Sequence, residues 1–252
     1  MSSSQEESIQ IYLDSKYAIK QNGNSGNAYF SIPSIYVEDG NYIYLSVVSC
    51  IIPYAFYNIN STNNTLTYDI VGGPQLTFTV PVGNYNINQL LTYINNNWTG
   101  YTLTLNLLTN KITITKSAAA DFTIYSGGLG KILGFTSNAY GLAGNSYTVT
   151  GASVANLYTI TNVNVEANLL TYNVSNISNQ TQNRSILASI PVAVAPFSLI
   201  SYENPSMYKT NLYVGEFNNL SVRLLDNNGA VIDMNGVDYT MTLQITVVPF
   251  RD

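Results

Sequence analysis

The chain has 252 residues, enough for one large β domain or for one domain carrying a smaller insertion. Charged residues are only 9% against 46% hydrophobic, the net charge is −5, and no Lys/Arg cluster occurs, which argues against contact with nucleic-acid phosphates or an anionic membrane surface. With no histidine and a single cysteine, Cys50, an intrachain disulfide, a Ser-His-Asp or Cys-His nucleophile and a thiolate zinc site are all excluded.

Solubility therefore rests on neutral polar groups, among them 33 Asn and 21 Tyr. These residues suit contact surfaces, because they bury area or adapt hydrogen bonds at low entropic cost. An AT-rich genome would also enrich Asn and Tyr, but it would enrich Lys as well, which occurs only six times.

In chain order, residues 1–7 are rich in Ser, Gln and Glu and lack the basic and apolar regions of a signal peptide. No apolar run approaches the ~20 residues of a membrane span. Synthesis inside a cell, in a reducing compartment, is expected. Glu38 and Asp39 precede Gly40 in a predicted turn, and Tyr42-Ile43-Tyr44-Leu45-Ser46-Val47 opens a long strand by period-2 alternation. Cys50 lies in the apolar run Val47-Val48-Ser49-Cys50-Ile51-Ile52 and reads as a buried structural thiol. Further strands are predicted at 65–71 and 75–80. One helix stands out: Ile87, Leu90, Leu91 and Ile94 form an i, i+3, i+4, i+7 stripe, with Asn86 or Asn88 as cap.

Residues 102–107 and 111–115 alternate across Thr109-Asn110, a hairpin signal. A strand at 122–125 and a short helical turn at 129–133 follow. Gly127-Gly128-Leu129-Gly130-Lys131 superficially resembles a phosphate loop, but Ile132 stands where Ser or Thr is needed, so the glycines read as a strand-to-turn junction. Residues 157–165 and 220–225 alternate as strands. Asp226-Asn227-Asn228-Gly229 and Met234-Asn235-Gly236 are turns, and 240–247 is the closing strand, ended by Pro249. The oxygen-rich Asp226, Asp233 and Asp238 lack the ligand spacing of a calcium loop.

The fold class expected is all-β: a jelly-roll β-sandwich with a small α+β domain inserted in one loop. Residues 60–135 form the predicted insertion, and residues 1–59 with 136–252 form the sandwich. Glu166 and Glu216 sit within or beside predicted strands, yet no spacing among the 14 acidic residues marks a catalytic pair, and they read as solvated turn or edge residues. The Asn-x-Ser/Thr sites at Asn60, Asn97, Asn173, Asn176, Asn179, Asn183 and Asn219 are matches that arise by chance in so Asn-rich a chain. Tyr54, Tyr57, Trp98 and Phe135 read as core or domain-junction residues. No catalytic, cofactor-binding or metal-binding residue is expected.

Three passages carry a resemblance. The first is Val47-Val48-Ser49-Cys50-Ile51-Ile52-Pro53-Tyr54-Ala55-Phe56-Tyr57-Asn58-Ile59. The second is Val82-Gly83-Asn84-Tyr85-Asn86 leading into the helix, followed later by Gly130-Lys131-Ile132-Leu133-Gly134-Phe135. The third is Ser221-Val222-Arg223-Leu224-Leu225-Asp226-Asn227-Asn228-Gly229 with Gly236-Val237-Asp238-Tyr239-Thr240-Met241-Thr242-Leu243, preceded by Ile186-Leu187-Ala188-Ser189-Ile190-Pro191-Val192. In order and spacing these resemble the penton (vertex, minor capsid) proteins of virophages, polinton-like viruses and related large DNA viruses of eukaryotes.

The resemblance implies a structural, non-enzymatic capsid protein of the virion. It would form homopentamers at the vertices of an icosahedral shell, beside the major capsid protein. In that role an insertion in one end loop of the sandwich would project outward as the exposed tip of the vertex, available to a host receptor or glycan, and residues 1–7 are expected to order only against neighbouring capsid proteins. Two other readings stay open: a receptor- or glycan-binding head of a viral fibre or lectin-like module, and a glycoside-active jelly roll.

Overall fold

The structure, a computed structural model, describes residues 7–36, 41–168, 174–175, 182–183, 185–204, 208–212 and 216–249. Of the amino-terminal segment 1–7 only Glu7 is among them. Glu38, Asp39, Asn173, Asn176 and Asn179 lie outside them.

The chain divides into two compact units, Met1–Phe56 with Ile160–Asp252, and Tyr57–Thr159. The first arm contributes β1 (Glu7–Asp14), a 3-10 turn (Ser15–Tyr17), β2 (Ile19–Gln21), β3 (Asn24–Tyr36) and β4 (Asn41–Pro53). The second unit holds β5 (Thr65–Ile70), β6 (Leu76–Thr79), α1 (Ile87–Asn97), β7 (Tyr101–Asn106), β8 (Lys111–Lys116) and β9 (Phe122–Ile124), then α2 (Gly128–Ile132), β10 (Ala139–Gly141) and β11 (Thr148–Thr150). The returning arm carries β12 (Asn162–Ala167), β13 (Val174–Ser175), β14 (Gln182–Asn183), β15 (Ile186–Pro191), β16 (Leu199–Glu203), β17 (Thr210–Leu212), β18 (Glu216–Leu225) and β19 (Thr240–Pro249).

In the first unit two antiparallel sheets form. One runs β1-β19-β4-β16, with β17 also bonded to β4; the other runs β15-β12-β18-β3-β2. Taking β16 and β17 as one lane and setting aside the short β2 and the separate β13–β14 pair, the eight lanes in chain order are β1, β3, β4, β12, β15, β16/β17, β18 and β19. The first sheet then takes lanes one, eight, three and six; the second takes five, four, seven and two. That is the interleaving of two Greek keys in a jelly roll.

Period-2 alternation explains why these segments are strands. Met241, Leu243 and Ile245 of β19 and Leu45, Val47 and Ile52 of β4 share one core with Phe30 of β3, Val163 and Val165 of β12, and Leu220, Val222 and Leu224 of β18. Buried Ser15 ties the start of β19 to the end of β1. Its N–H donates to the Tyr239 carbonyl (3.0 Å), and its hydroxyl donates to Asp238 (2.9 Å) while accepting from the Tyr239 N–H (2.9 Å). Lys20 pairs with Asp238 at 2.6 Å and holds that carboxyl below its ordinary range.

Two turns show why the sequence pauses at Asn-Gly. Asn22 and Gly23, and again Asn235 and Gly236, both have positive φ (53° and 73°, 49° and 78°), the type I′ signature that Asn-Gly supplies at least steric cost. Side chains from the connections tie one end of the sandwich together. Asn227 accepts from Thr161 N–H (2.8 Å), and Asn235 donates to the Ala55 carbonyl (2.7 Å).

The second unit is α+β, with sheets β10-β9-β5-β6 and β11-β8-β7 and the helix α1. The capping choice falls on Asn86: it accepts from Gln89 N–H (2.9 Å) while the Gln89 side chain accepts from Asn86 N–H (3.0 Å). Leu90, Leu91 and Ile94 are buried against Leu103, Ile112, Ile114 and Phe122. Trp98 stacks on Tyr101 with ring centroids 4.0 Å apart, and Tyr68 meets both edge-on. Gly141 is fixed by packing, since a Cβ there would stand 2.0 Å from the Phe122 ring.

The unit boundaries differ from the expected 60–135. Residues 136–159 belong to the second unit, because β10 extends its first sheet beside β9 and β11 extends its second beside β8. Residues 57–59 belong there too. Asn58 donates to the Tyr85 carbonyl (2.8 Å) and accepts from Tyr85 N–H (3.0 Å), while Ile59 bridges Gly83. Residues 157–165, expected as one strand, straddle the boundary. Leu157 packs on the core of the second unit, Ile160 and Val163 join the core of the first, and only Asn162–Ala167 is strand.

Candidate interaction surfaces

The groups that chemistry would need are used in packing. Cys50 is buried in the jelly-roll core, and burial pushes its thiol up to about 12, so it stays a neutral apolar filler. Glu166 lies at a bulge of β12, directly opposite Arg223 of β18, and its buried carboxylate is ion-paired with that guanidinium. Glu216, at the start of β18, accepts from the Ser34 hydroxyl (2.5 Å). Arg223 lies seven residue steps along β18 from Glu216, so the two glutamates stand roughly 20 Å apart at ~3.3 Å per residue. Paired glycosidase carboxylates need ~5–9.5 Å.

Asp226 spends its carboxylate on its own hairpin, accepting from the N–H groups of Asn228 and Ala230 (both 2.8 Å). Gly128 and Gly130 of α2 lie against the carbonyls of Thr65 and Tyr125, which leaves a Cβ no room at either. Among the described residues no group of three or more Cys, Asp or Glu could hold a metal ion, and no helix is long and apolar enough to cross a membrane. Trp98 and Phe135 are buried in the core of the second unit. Tyr54 packs partly buried on the jelly-roll core, stacked on Phe56 at 4.3 Å, and Tyr57 is half-buried.

What remains for function is surface, and the apolar surface of the jelly roll is uneven. One flank is formed by β1, an edge of the first sheet, and by β3 of the second, whose start is paired with the short edge strand β2; β1 and β3 line one groove. Among the described residues β1 bonds only β19, which leaves the outer edge of Glu7–Asp14 without a strand partner there, and β1 has neither Pro nor Lys to block it. Between the strands runs a groove of about 620 Å³ whose lining includes Ile9, Ile11, Tyr12, Phe30, Ile32 and Ile35. Beside it Tyr12 (75% exposed), Tyr17 (81%) and Ile19 face outward.

The other flank is formed by β15 and β16, the opposite edges of the two sheets. In their connection Pro196 and Phe197 are the central residues of a turn closed by Ser198 N–H donating to the Ala195 carbonyl (3.2 Å). Phe197 adopts φ +69°, at the position where type II turns ordinarily place Gly, and is 91% exposed. Leu199 and Ile51 lie exposed nearby on adjacent strands.

In the second unit, Leu107 and Leu108 crown the β7–β8 hairpin, where Asn106 accepts from the N–H groups of Leu108 and Thr109 (2.9 and 3.1 Å); Leu108 is 95% exposed. The sequence marked none of these residues as surface: Ile51 fell in an apolar run and Leu107 at the end of an alternating strand. The available signals were a tyrosine at an outward position of an alternating strand and an aromatic directly after a loop proline.

No protein-family model matches the chain, and no curated protein matches it. Solved structures do: sixteen chains match by fold. One is a crystal structure of selenomethionine-labelled mavirus penton protein, with a TM-score of 0.51 at 14% sequence identity, over 96% of this chain and 100% of that one. The chain thus shares the fold of a virophage-type penton protein across both of its units.

Proposed function

We propose that this chain is a structural capsid protein, a penton subunit that assembles as a homopentamer at the vertices of an icosahedral DNA virus, with no enzymatic role. The observation that carries the reading is the end-to-end likeness to the mavirus penton protein, which takes in the jelly roll and the insertion together. The chemistry of the chain is consistent with it, since the Glu166 and Glu216 carboxylates and the Cys50 thiol are committed to pairing and packing while its edges carry uncharged apolar groups. In this reading the protein resides in the virion, contacts major capsid protein neighbours, and presents the second unit to a host receptor or glycan.

Native mass spectrometry of the purified chain, with electron microscopy of the same sample, tests the reading. A fivefold ring is expected. A trimer that binds glycans would overturn it in favour of the receptor-binding head of a fibre.

A further inference from the structure

The reading above requires a head-to-tail contact between identical copies, and a ring of identical subunits needs two different, complementary patches on each one. We infer that the apolar groove between β1 and β3 receives Phe197, with Leu199 beside it, from the next copy of this chain. The inference rests on the penton reading and adds which surfaces meet.

Three observations carry it. The first is shape. The groove is concave, about 620 Å³, and open at an edge of the sandwich, whereas Phe197 is a projecting knob on the opposite edge. A positive φ costs an L-residue on the order of 1–2 kcal/mol. The turn holds the phenyl ring of Phe197 in that conformation, 91% exposed, while its backbone is tied to the end of β4 by Phe197 N–H donating to the Tyr54 carbonyl (3.2 Å).

The second is charge. The chain carries a net −5, so copies repel, yet among the described residues Asp14 is the one charged residue lining the groove, and the loop at 192–198 has none. Joining these patches buries almost no charge.

The third is area. Exposed Ile9, Tyr12, Tyr17, Ile19 and Tyr29 offer on the order of 600 Å², and Phe197, Leu199 and Ile51 on the other flank on the order of 400 Å², at roughly 200 Å² per fully exposed large side chain. A standard interface takes ~800 Å² per partner, a little over half of it apolar. Each flank therefore supplies the apolar share of one stable contact.

Disulfide trapping in the full chain tests this. Ser31→Cys lines the groove, Ser198→Cys adjoins the knob, and both sites are exposed, while Cys50 is buried and unreactive. The double variant, oxidised and run under denaturing conditions, should give a ladder ending at five copies; each single variant should give no ladder. In a second experiment, Phe197→Asp and Ile9→Asp should each turn the ring into monomers that keep the circular dichroism spectrum of the folded chain, with the melting temperature falling only by the loss of assembly. Mixed together they should form dimers and stop there, because only one intact knob-and-groove contact is left.

A pentamer that forms without the ladder, or survives Phe197→Asp, overturns this contact and leaves the groove to another occupant such as the major capsid protein; the penton reading then stands. A wild-type chain that stays monomeric up to millimolar concentration, with no ladder, overturns both.

Discussion

The two units bury their cores by opposite uses of the chain. In the jelly roll the pairings that join its two arms span most of the sequence: Glu7 faces Val247, Asn27 faces Arg223, and Ile43 faces Val247 from the other side. In the second unit the pairings are largely local, as in β7 with β8 across four residues and β5 with β6 across five. The second unit also closes on itself, since the Thr159 hydroxyl donates to the Asn58 carbonyl (3.1 Å) and so holds its entry and exit together. An insertion of about one hundred residues would otherwise lengthen the loop between β4 and β12. Loop entropy grows only slowly with length, and a folded insertion with adjacent ends removes most of that cost. The jelly roll can therefore host the unit, while the unit does not depend on the jelly roll.

The sharpest way to break this contrast is to cut the chain after Thr159. The fragment 1–159 retains all of the second unit but loses β12 and β15–β19, and with them every partner of β1 and β3 except β2. Its jelly-roll half should be entirely unfolded, with amide protection confined to 57–159, and the isolated 57–159 segment should melt cooperatively on its own. Hydrogen exchange read by mass spectrometry distinguishes the two halves. Protection in β1 or β3 of the truncated chain, or an unfolded 57–159 segment, would show that the units depend on each other.

Paired core truncations give the next largest effect. Phe122 and Leu243 are both fully buried, one in each unit. Phe122→Ala should remove ~3–5 kcal/mol and Leu243→Ala ~2–5 kcal/mol. If the units are independent, each should shift only its own transition in a two-step calorimetric trace. A common shift in both transitions would mark a single cooperative system.

The contrast also explains which parts of the fold the sequence made legible. Local signals sufficed in the second unit: the i, i+3, i+4, i+7 stripe of Ile87, Leu90, Leu91 and Ile94, the cap at Asn86, and the alternation on both sides of Thr109-Asn110 are complete within short windows. The same signals failed at the boundary. Residues 157–165 alternate evenly, but Leu157 faces one core and Val163 another, and periodicity carries no mark of which core a face will meet. The expected boundary at 135 leaves β10 and β11 outside the second unit for a related reason: three-residue strands are placed by the partners they find, β9 and β8, and those pairings are tertiary. The candidate surface was the least legible part. A Phe within Ala195-Pro196-Phe197-Ser198 reads equally well as core or display, and only its positive φ and its exposure separate the two.

The smallest effect probes how local the second unit is. Asn86 occupies the N-cap of α1 and satisfies one orphan N–H of the first turn directly, with Gln89 returning the favour to its own N–H. Asn86→Ala removes both the side-chain acceptor and the reason for the Gln89 side chain to fold back. The expected cost is ~1 kcal/mol. Asn86→Asp should restore most of it, because a carboxylate accepts the same bond and interacts favourably with the helix amino terminus. Asn86 is exposed and its bonds stay within the turn, so the change should appear in the melting of the second unit and leave the jelly-roll transition where it was. A cap loss that lowered both transitions equally would mean that the first turn of α1 is part of a cooperative structure larger than the unit that contains it.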